Sequence, residues 1–404
     1  MKGSPIAPAP RGSVLFAGQS YYNTWYLSRA LRELGWRADV LDWDTNPSHA
    51  GYYHGQDFQL VDTDASHLRR HLRFYLWALR TYDLFHFTGA HGMRFTYLLE
   101  QETARRIRPG AEIKLLKRLR KKVVYSNNGC LDGVSQSSFA SWGERPVCTD
   151  CPWRERPDVC SDERNLAWGR FRNSVADFQC LTGGNRIDHN DDPTVHEVPE
   201  FFCLDSELWK PGLEIPPERK LPIPEETVKI YHGVGNFQSR SEVGSNRNVK
   251  STHIWIPLIE QLKREGHDVE LMFFQNIPNK EIRYYQAQAD IVVEMLTYGW
   301  FGANVREAMM LGKPVVCYLR PEWLQSMRSE IPGYADELPI VSATPETAQE
   351  VLVDLIQNPE KRREIGRRGR EFALKWHSAE AGARHLDRIY SGLLAGRPGT
   401  ESFR

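Results

Sequence analysis

The sequence predicts an α/β protein built from two doubly wound parallel sheets that face each other across a cleft. Short apolar segments alternate with amphipathic helices along the chain, and such alternation is typical of a parallel sheet covered on both faces. The alternation stops over a proline-rich segment, residues 211–226, and then starts again. The chain has 404 residues, which is enough for two domains of ordinary size.

The composition is that of a soluble globular protein, with 41% hydrophobic and 26% charged residues. Lys and Arg together number 52, as do Asp and Glu, so the formal net charge is zero. This balance argues against a protein that coats nucleic acid, because such binding depends on excess positive charge. The 12 Trp and 16 Tyr are an unusual aromatic share, which suits sugar-binding sites as well as ordinary cores.

The termini and charge runs lead to an expectation about location. No apolar run approaches the roughly 18 residues that a membrane span needs. Residues 1–12 have no apolar stretch of the kind found in signal peptides, so we expect a flexible tail and a cytoplasmic protein. Two basic runs, 117–122 and 361–370, are either solvated faces or a peripheral contact with the inner face of a membrane.

The elements follow from apolar runs and helical spacing. The first half contains the predicted strands Val14–Ala17, Ala38–Leu41, Leu84–Phe87, Val123–Ser126, Phe178–Thr182 and Val195–Val198, with helices over Leu27–Leu34 and Leu68–Leu79. The second half contains the predicted strands Val228–His232, Val269–Phe274, Ile291–Met295 and Val315–Tyr318, with helices over Ile254–Leu262, Asn304–Leu311, Pro345–Gln357, Pro359–Leu374 and Ala379–Leu394.

These patterns divide the chain into an N-terminal Rossmann-like unit and a C-terminal one. The expected division is a tail over 1–12, a first domain over 13–210 with a cysteine-containing insertion at about 130–162, a linker over 211–226, a second domain over 227–378, and a final helix and tail over 379–404. Sheets of this kind bind ligands at the carboxyl ends of their strands, so a ligand is expected between the two units.

The most informative segment runs from residue 289 to residue 316, where a strand, a glycine turn, a helix and a second strand follow one another. Gly302 lets a ligand approach the backbone, and the helix that starts near Asn304 directs free amides and partial positive charge at it. Glu307 lies one turn into the helix, where a carboxylate could accept two ribose hydroxyls. The alternative is an ordinary helix with a solvated glutamate near its favourable end.

This segment resembles the donor-binding element of family-four retaining glycosyltransferases, and most closely a bacterial branch with Gly-Trp-Tyr-Gly at the turn. The matching residues are Gly-Trp-Phe-Gly at 299–302, Glu-Ala-Met at 307–309 and Gly-Lys-Pro-Val at 312–315. The resemblance implies the GT-B fold, in which two Rossmann-like domains face each other and the last helix crosses back to the first domain.

The resemblance also implies roles for individual residues. Glu307 would bind the ribose of the donor nucleotide, and the backbone around Gly302, Asn304 and Val305 would meet the diphosphate or the sugar. The first glutamate of the family pattern falls on Gly299, so that carboxylate is absent from this chain.

A second match lies upstream, in the loop that follows strand Val228–His232. Gly233 and Gly235 come close to the strand end, and Arg247 and Lys250 follow, which is a combination suited to phosphate. Without further context, a solvated loop is the favoured explanation of the two cations. By the resemblance, which covers most of residues 226–395, Arg247 and Lys250 neutralise the leaving diphosphate, so that no metal is required for the transfer.

Three positions in the first half are expected to face the cleft. The turn at Gly18 either contacts the donor or acceptor or is a plain capped turn. His86 and His91 lie at a strand end; a lone histidine is usually structural, but for a pair at a cleft edge a catalytic role and a structural one are equal alternatives. Asn128 falls where many relatives have a histidine near the donor sugar; an amide there can donate and accept hydrogen bonds but cannot hold a charge.

Cys130, Cys148, Cys151 and Cys160 form a separate constellation around one Cys-x-x-Cys pair. Four thiolates close to each other would suit a structural zinc ion, and the segment 143–161, which contains three of them, is loop-like. Redox-active cysteines, a disulfide and unlinked thiols are the alternatives.

The function expected from these observations is a retaining glycosyltransferase that moves a sugar from a nucleotide diphosphate donor to an acceptor hydroxyl. The acceptor would be a saccharide, a lipid-linked molecule or a protein, in the biosynthesis of a glycan, polysaccharide or glycoconjugate. The alternatives are a non-catalytic protein that binds nucleotide sugars and a GT-B epimerase that converts the nucleotide sugar without an acceptor.

Overall fold

The protein forms two parallel sheets, as the alternation of apolar segments predicts. The structure is a computed structural model that describes residues 11–44, 51–60, 67–88, 110–127, 129–130, 132–183 and 185–399. Of the predicted site residues, His91 and Asn128 lie outside this range.

The first sheet has seven strands, and neighbouring strands are parallel throughout. They are β1 (Ser13–Ala17), β2 (Arg37–Asp42), β3 (Phe58–Gln59), β4 (Leu84–Thr88), β5 (Lys122–Ser126), β6 (Phe178–Leu181) and β7 (Val195–Glu197). Their order is β3-β2-β1-β4-β5-β6-β7. Strands β1 and β4 are buried along their whole length, because helices cover both faces of a parallel sheet.

The second sheet has four parallel strands in the order β11-β10-β8-β9. They are β8 (Val228–Val234), β9 (Val269–Gln275), β10 (Ile291–Val293) and β11 (Val315–Val316). Strands β8 and β9 pair in continuous register from Val228 opposite Val269 to Val234 opposite Gln275.

Helices connect the strands in both halves. The first half contains α1 (Asn23–Glu33), α2 (Leu68–Thr81), α3 (Ala111–Arg118), α4 (Gln136–Ala140) and α5 (Asp162–Val175). The second half contains α6 (Phe237–Arg240), α7 (Thr252–Arg264), α8 (Asn279–Gln286), α9 (Ala303–Met310), α10 (Pro321–Glu330), α11 (Tyr334–Glu337), α12 (Ala348–Gln357), α13 (Pro359–Trp376) and α14 (Ala379–Leu394).

A strand is present at each position where an apolar run predicts one, but the sequence pattern misses the edge strand β3 and several helices. Helix α5 is an example, because it is anchored largely by polar contacts. Trp168 Nε1 donates to Asp132 Oδ1 at 2.6 Å, and Arg172 Nη1 donates to the Asp132 carbonyl oxygen at 3.1 Å. A helix of this kind has no apolar stripe from which its period could be read.

The largest core runs through both halves of the molecule. It includes Val14 and Phe16 on one face of the first sheet, Leu386 of α14, and Val292 of the second sheet. Separate clusters cover the other face of the first sheet, beneath α2 and α3, and the other face of the second sheet, beneath α7 and α12. The two sheets are thus joined by a continuous apolar interior.

The chain crosses between the halves at two neighbouring points. Leu204 N donates to the His377 carbonyl oxygen, and Ala379 N donates to the Leu204 carbonyl oxygen, both at 2.8 Å. After this point α14 lies against the first half, where the Trp36 indole donates to Asp387 Oδ1 at 2.7 Å.

The strand order reverses once in each sheet, between β1 and β4 and between β8 and β10. Open α/β sheets usually bind their ligand at such a reversal, in the crevice at the carboxyl ends of the two strands. Within the described residues, no helix is long and apolar enough to cross a membrane.

Candidate donor site in the cleft

A cavity of about 180 Å³ lies where β8 ends and helix α9 begins. The second half supplies most of its wall, including the predicted donor residues Gly233, Gly235, Lys250, Gly302, Asn304 and Glu307. The first half contributes Tyr21, Tyr52 and Phe202. The cavity is therefore in the cleft and at the strand-order reversal of the second sheet.

Lys250 is held at the cavity by a buried carboxylate. Its Nζ donates to Glu294 Oε1 at 2.5 Å, and the same oxygen accepts from Asn304 Nδ2 at 3.2 Å. Glu294, which follows β10, is 1% exposed. Asn304 also donates to the Gly233 carbonyl oxygen at 2.9 Å, so the contact ties the start of α9 to the end of β8.

The start of helix α9 is suited to an anion. Gly302 caps the helix without a side-chain hydrogen bond, which leaves the first amides free to donate to a ligand. A Cβ at position 302 would lie 3.0 Å from Lys250 Nζ. Glycine thus lets the ammonium group approach the helix terminus, and the two positive centres combine.

Glu307 lies at the cavity but is already hydrogen-bonded. Its Oε1 accepts from Tyr22 Oη at 2.8 Å and from Asn279 Nδ2 at 3.0 Å, and its Oε2 accepts from Gln286 Nε2 at 2.8 Å. Burial raises the pKa of Glu307, and these hydrogen bonds partly oppose that rise. Tyr22 belongs to the first half, so this carboxylate links the two halves across the cleft.

The link continues through a histidine. His54 Nε2 is 2.7 Å from Asn279 Oδ1, and Tyr26 Oη is 2.6 Å from His54 Nδ1. Because the amide of Asn279 donates to Glu307, its oxygen is the acceptor, which assigns the proton of His54 to Nε2. Burial lowers the pKa of His54 to about 4, so the ring is neutral at physiological pH.

Arg240 is a cavity cation that the sequence pattern does not indicate. It ends the short helix α6, and its Nη2 donates to Tyr21 Oη at 3.4 Å. Burial alone would raise the pKa of the Tyr21 phenol, but the charges of Arg240 and Lys250 outweigh burial and lower it. The structure thus brings two cations, Arg240 and Lys250, to one wall of the cavity. Arg306, from helix α9, also lines the cavity.

Unusual backbone conformations occur close to the cavity. Tyr21 and Asn276 line it and have positive φ angles of 51° and 56°, and Asn236, next to Gly235, has a φ of 51°. Non-glycine residues in this region are uncommon and occur preferentially at functional sites. The conformations therefore agree with a ligand role for this part of the cleft.

Arg247 does not line the cavity, contrary to the expectation from the loop spacing. Its Nε donates to Asp150 Oδ1 at 3.0 Å, and its side chain is 46% exposed. Asp150 comes from the cysteine-containing segment of the first half and also accepts from Thr297 Oγ1 at 3.0 Å. The attraction of this buried carboxylate directs Arg247 away from the helix terminus.

Three further predicted residues lie away from the cavity. His86 is fully buried between Tyr390 Oη and Ser126 Oγ, each 2.5 Å from one ring nitrogen, and burial lowers its pKa to about 3. The side chain of Val305 is buried in the main core. Gly18 lies in the turn after β1, where its amide donates to the Leu41 carbonyl oxygen at 3.0 Å. His86 is therefore a core residue.

Gly299 occupies the position where the family pattern has its first glutamate. Its φ is +88°, in the left-handed region that favours glycine. A Cβ there would lie 2.6 Å from the Cβ and 2.7 Å from Nε of Arg320. The space for a carboxylate at this position is thus filled by the side chain of an arginine.

The four cysteines of the first half are neighbours, because the charges of the other three act on Cys130. Within the described residues, no group of three or more His, Cys, Asp or Glu side chains could hold a metal ion, so the zinc prediction is not supported. The cysteines are free thiols. Burial, reinforced by the other thiols, raises the pKa of Cys130 to about 12 and that of Cys148 to about 11. Residues 143–161 contain no helix or strand, as expected.

Comparison with known proteins agrees with this geometry. Residues 257–372 match the model of the family described as glycosyl transferases group 1. No match was found among curated proteins.

Solved structures match over nearly the whole chain. Sucrose-phosphate synthase from Thermosynechococcus elongatus is 14% identical, with a TM-score of 0.57, over 95% of this chain and 100% of that one. Anabaena Alr3699/HepE in complex with UDP is 13% identical, with a TM-score of 0.55, over 94% and 100%. A Listeria monocytogenes protein assigned as a UDP-N-acetylglucosamine 2-epimerase is 11% identical, with a TM-score of 0.53, over 96% and 99%. The chain therefore has the GT-B fold, and residues 257–372 have the sequence features of group 1 glycosyl transferases.

Proposed function

We propose that the protein is a glycosyltransferase that moves a sugar from a nucleoside diphosphate sugar to an acceptor hydroxyl, with retention of anomeric configuration. The observation that carries the proposal is the cavity in which Lys250 and the free amides of helix α9 converge. Charge develops on the diphosphate as it leaves the sugar, and fixed positive groups in a partly dry cleft stabilise it. The match of residues 257–372 to group 1 glycosyl transferases supports the same reaction.

Five of the cavity residues then have a role toward the donor. Lys250 and Arg240 supply cationic charge to the diphosphate, and Gly302 allows it to reach the helix amides. Glu307, with Asn279, lies where ribose hydroxyls would be held. The neighbouring structure of Alr3699/HepE contains UDP, which favours uridine among the bases to be tested first.

The proposal of retention rests on the protonation chemistry of the cavity. An inverting transfer uses a protein base to deprotonate the acceptor hydroxyl. Among the described residues that line the cavity, the one carboxylate is Glu307, and it already accepts three hydrogen bonds. No histidine is part of the described lining. Departure of the diphosphate on the side of the incoming hydroxyl, with a phosphate oxygen as the base, suits such a site.

The donor half of the proposal is tested by thermal denaturation with UDP, GDP, CDP, ADP and TDP. A ligand at 100 times its Kd should add about 2.7 kcal/mol to the stability of the folded protein. Lys250→Met should remove most of the shift, whereas Lys263→Met, which breaks an ion pair with Glu270 at the surface, should leave it intact. The absence of a shift with all five nucleotides would overturn the proposal.

The transfer half is tested with labelled donor and extracts that contain saccharide, lipid-linked and protein acceptors. A glycosylated product whose anomeric configuration matches the donor by NMR supports retaining transfer. Formation of an epimer without acceptor would favour the epimerase, an activity assigned to the Listeria neighbour. Donor binding with no product from any acceptor would favour a non-catalytic nucleotide-sugar-binding protein.

Of the two basic runs, 117–122 is the better candidate for a peripheral membrane contact at the cytoplasmic face. In the run 361–370, Lys361 pairs with Asp354 and Arg367 pairs with Glu364 and Glu371. The run 117–122 has an ion pair between Lys117 and Asp177, but it contains Leu119 and lies beside Leu115, which are 49% and 37% exposed. Co-sedimentation with vesicles containing anionic lipid should weaken on substituting Leu119 and Lys121 and persist on substituting Lys361. Equal loss in both variants would contradict this assignment.

A further inference from the structure

Arg306 is a buried cation at the cavity to which the proposed function assigns no role. The residue is 2% exposed. Its guanidinium carbon lies 4.6 Å from the ring centroid of Phe202, 4.7 Å from that of Phe301 and 5.5 Å from that of Trp300. Arg306, Phe202 and Trp300 all line the cavity. The group is thus an arginine in an aromatic cage that opens onto the cleft.

This guanidinium has very few polar partners within the protein. Nη1 donates to the Phe301 carbonyl oxygen at 3.3 Å, and Nε has no hydrogen-bond partner. No carboxylate of the described chain lies within 4.0 Å of it. Glu294 is engaged by Lys250, and Glu307 by its three donors. A buried charge without a counter-charge is costly, so its retention calls for an explanation.

Arg306 and the diphosphate position lie on different sides of helix α9. Residues two apart on an α-helix are about 200° apart around its axis. Asn304 faces Lys250 and Glu294, whereas Arg306 faces Phe202 and Trp300. A diphosphate at Lys250 would therefore leave the guanidinium available to a second anionic group of the ligand.

That second position lies toward the first sheet. Trp300, which packs on Arg306, also borders a small neighbouring cavity together with Asn127, Thr182 and Gly183, which follow the carboxyl ends of β5 and β6. In the proposed function the nucleotide lies against the second half, so the transferred sugar lies on this side. Arg306 is consequently placed at the sugar rather than at the base.

We infer that the donor sugar carries a carboxylate, as a hexuronic acid does, and that Arg306 binds this carboxylate. A planar guanidinium matches a carboxylate through parallel N–H···O bonds, and burial strengthens the interaction. Glu294 and Glu307 attract Arg306 only from a distance, so a neutral sugar would leave the buried cation without a carboxylate in contact. The inference rests on the proposed function, because it takes the cleft as a donor site, and it adds the substrate class to it.

The test compares UDP-glucuronic acid with UDP-glucose, which differ only in a carboxylate or a hydroxymethyl group at the sugar. Calorimetry should show the wild-type protein binding UDP-glucuronic acid about tenfold or more tightly, as expected for a charge-assisted hydrogen bond. Arg306→Met keeps the shape of the side chain and should bring the ratio near one, with the Kd for UDP unchanged. Arg306→Lys should restore part of the preference.

Several results would overturn the inference. Equal affinity of the wild-type protein for the two donors does so directly, and this holds even where the Arg306 variants fail to fold. If Arg306→Met still prefers UDP-glucuronic acid to UDP-glucose, another residue is responsible for the preference. If Arg306→Met weakens the binding of UDP and of both donors equally, Arg306 either binds the diphosphate or is needed for folding.

A second experiment tests the preference for a carboxylate without assuming which nucleotide base the donor carries. α-D-Glucuronic acid 1-phosphate and α-D-glucose 1-phosphate lack a nucleoside, and their relative affinities can be measured by ligand-observed NMR. Absence of UDP binding together with a glucuronate preference that depends on Arg306 would reject uridine but support the inference. UDP binding with no preference in either pair would support the proposed function and reject the inference.

Discussion

The two sheets share a parallel topology, yet their strand ends offer different chemistry to the cleft. At the second sheet, Lys250, Glu294 and Asn304 form a connected group of charged and amide side chains. From the first half, Tyr21 and Tyr52 present aromatic rings to the same cavity. Since both sheets are parallel, the difference comes from a few side chains near the strand ends. In the proposed function, the second half would therefore hold the charge of the ligand, and the first half would cover it.

The largest expected effect follows from removing the cation of the second half. Lys250→Met should weaken nucleoside diphosphate binding by about 10- to 100-fold, because a charge-assisted hydrogen bond is lost and Glu294 remains as a buried unpaired carboxylate. Calorimetry with UDP measures the loss. The double variant Lys250→Met/Glu294→Gln should recover stability without recovering binding. Recovery of both would mean that Lys250 acts only through folding.

Acid should reveal buried histidines in both halves. Burial lowers the pKa of His86 to about 3 and that of His232 to about 4, so the unfolded chain binds more protons than the folded one below about pH 6.5. Stability should therefore fall from pH 6.5 toward pH 5, by up to about 1.4 kcal/mol per pH unit for each histidine. Glu307, whose pKa is raised by burial, opposes this slope.

Urea denaturation between pH 5 and pH 8 measures the acid effect. The variants His86→Gln, in the first sheet, and His232→Gln, in the second, should each flatten the plot of stability against pH. A wild-type stability that does not change over this range would contradict the assignment of neutral, buried rings. Glu307→Gln should make the acid slope steeper, because the opposing contribution is removed.

The link between the halves has a smaller expected effect. Tyr22→Phe removes a hydrogen bond to the buried carboxylate of Glu307 and should lower stability by about 1–3 kcal/mol. Tyr53→Phe is the matched control, because its hydroxyl donates to Asp44 within the first half. Thermal denaturation compares the two. A larger loss in the control would show that the contact across the cleft contributes little.

The smallest effect is expected for Arg247, which the sequence pattern assigns to the diphosphate. Its side chain is 46% exposed, and Asp150 keeps Thr297 as a hydrogen-bond donor, so Arg247→Ala should lower stability by less than about 1 kcal/mol. Binding of UDP should be unchanged by calorimetry. A loss of affinity comparable to that of Lys250→Met would place Arg247 at the diphosphate after all.

The strands and the start of helix α9 could be predicted from the sequence, because both depend on residues that are close together in the chain. Apolar runs such as Val14–Ala17 are strands because they are buried on both faces. Gly302 and Glu307 are placed by their spacing along one helix, and the structure has both at the cavity. These features need no information from distant parts of the chain.

The sequence does not reveal contacts between residues that are far apart in the chain. Arg247 is paired with Asp150, 97 residues away, and Lys250 with Glu294, 44 residues away. His86 reads as a cleft residue at a strand end, but Tyr390 of the last helix encloses it. Arg240 lies in a short helix with no periodic signal. Such contacts depend on how the two halves pack, which no local pattern encodes.

In the proposed function, the hydrogen bond between Tyr22 and Glu307 would compete with the nucleotide for the same carboxylate. A ribose hydroxyl that takes the place of the phenol at Oε1 must first displace it, so the observed affinity would be the intrinsic affinity multiplied by the fraction of molecules in which that bond is broken. A substitution that weakens the fold here should consequently tighten nucleotide binding. Tyr22→Phe would then show opposite signs in a melting curve and in a titration.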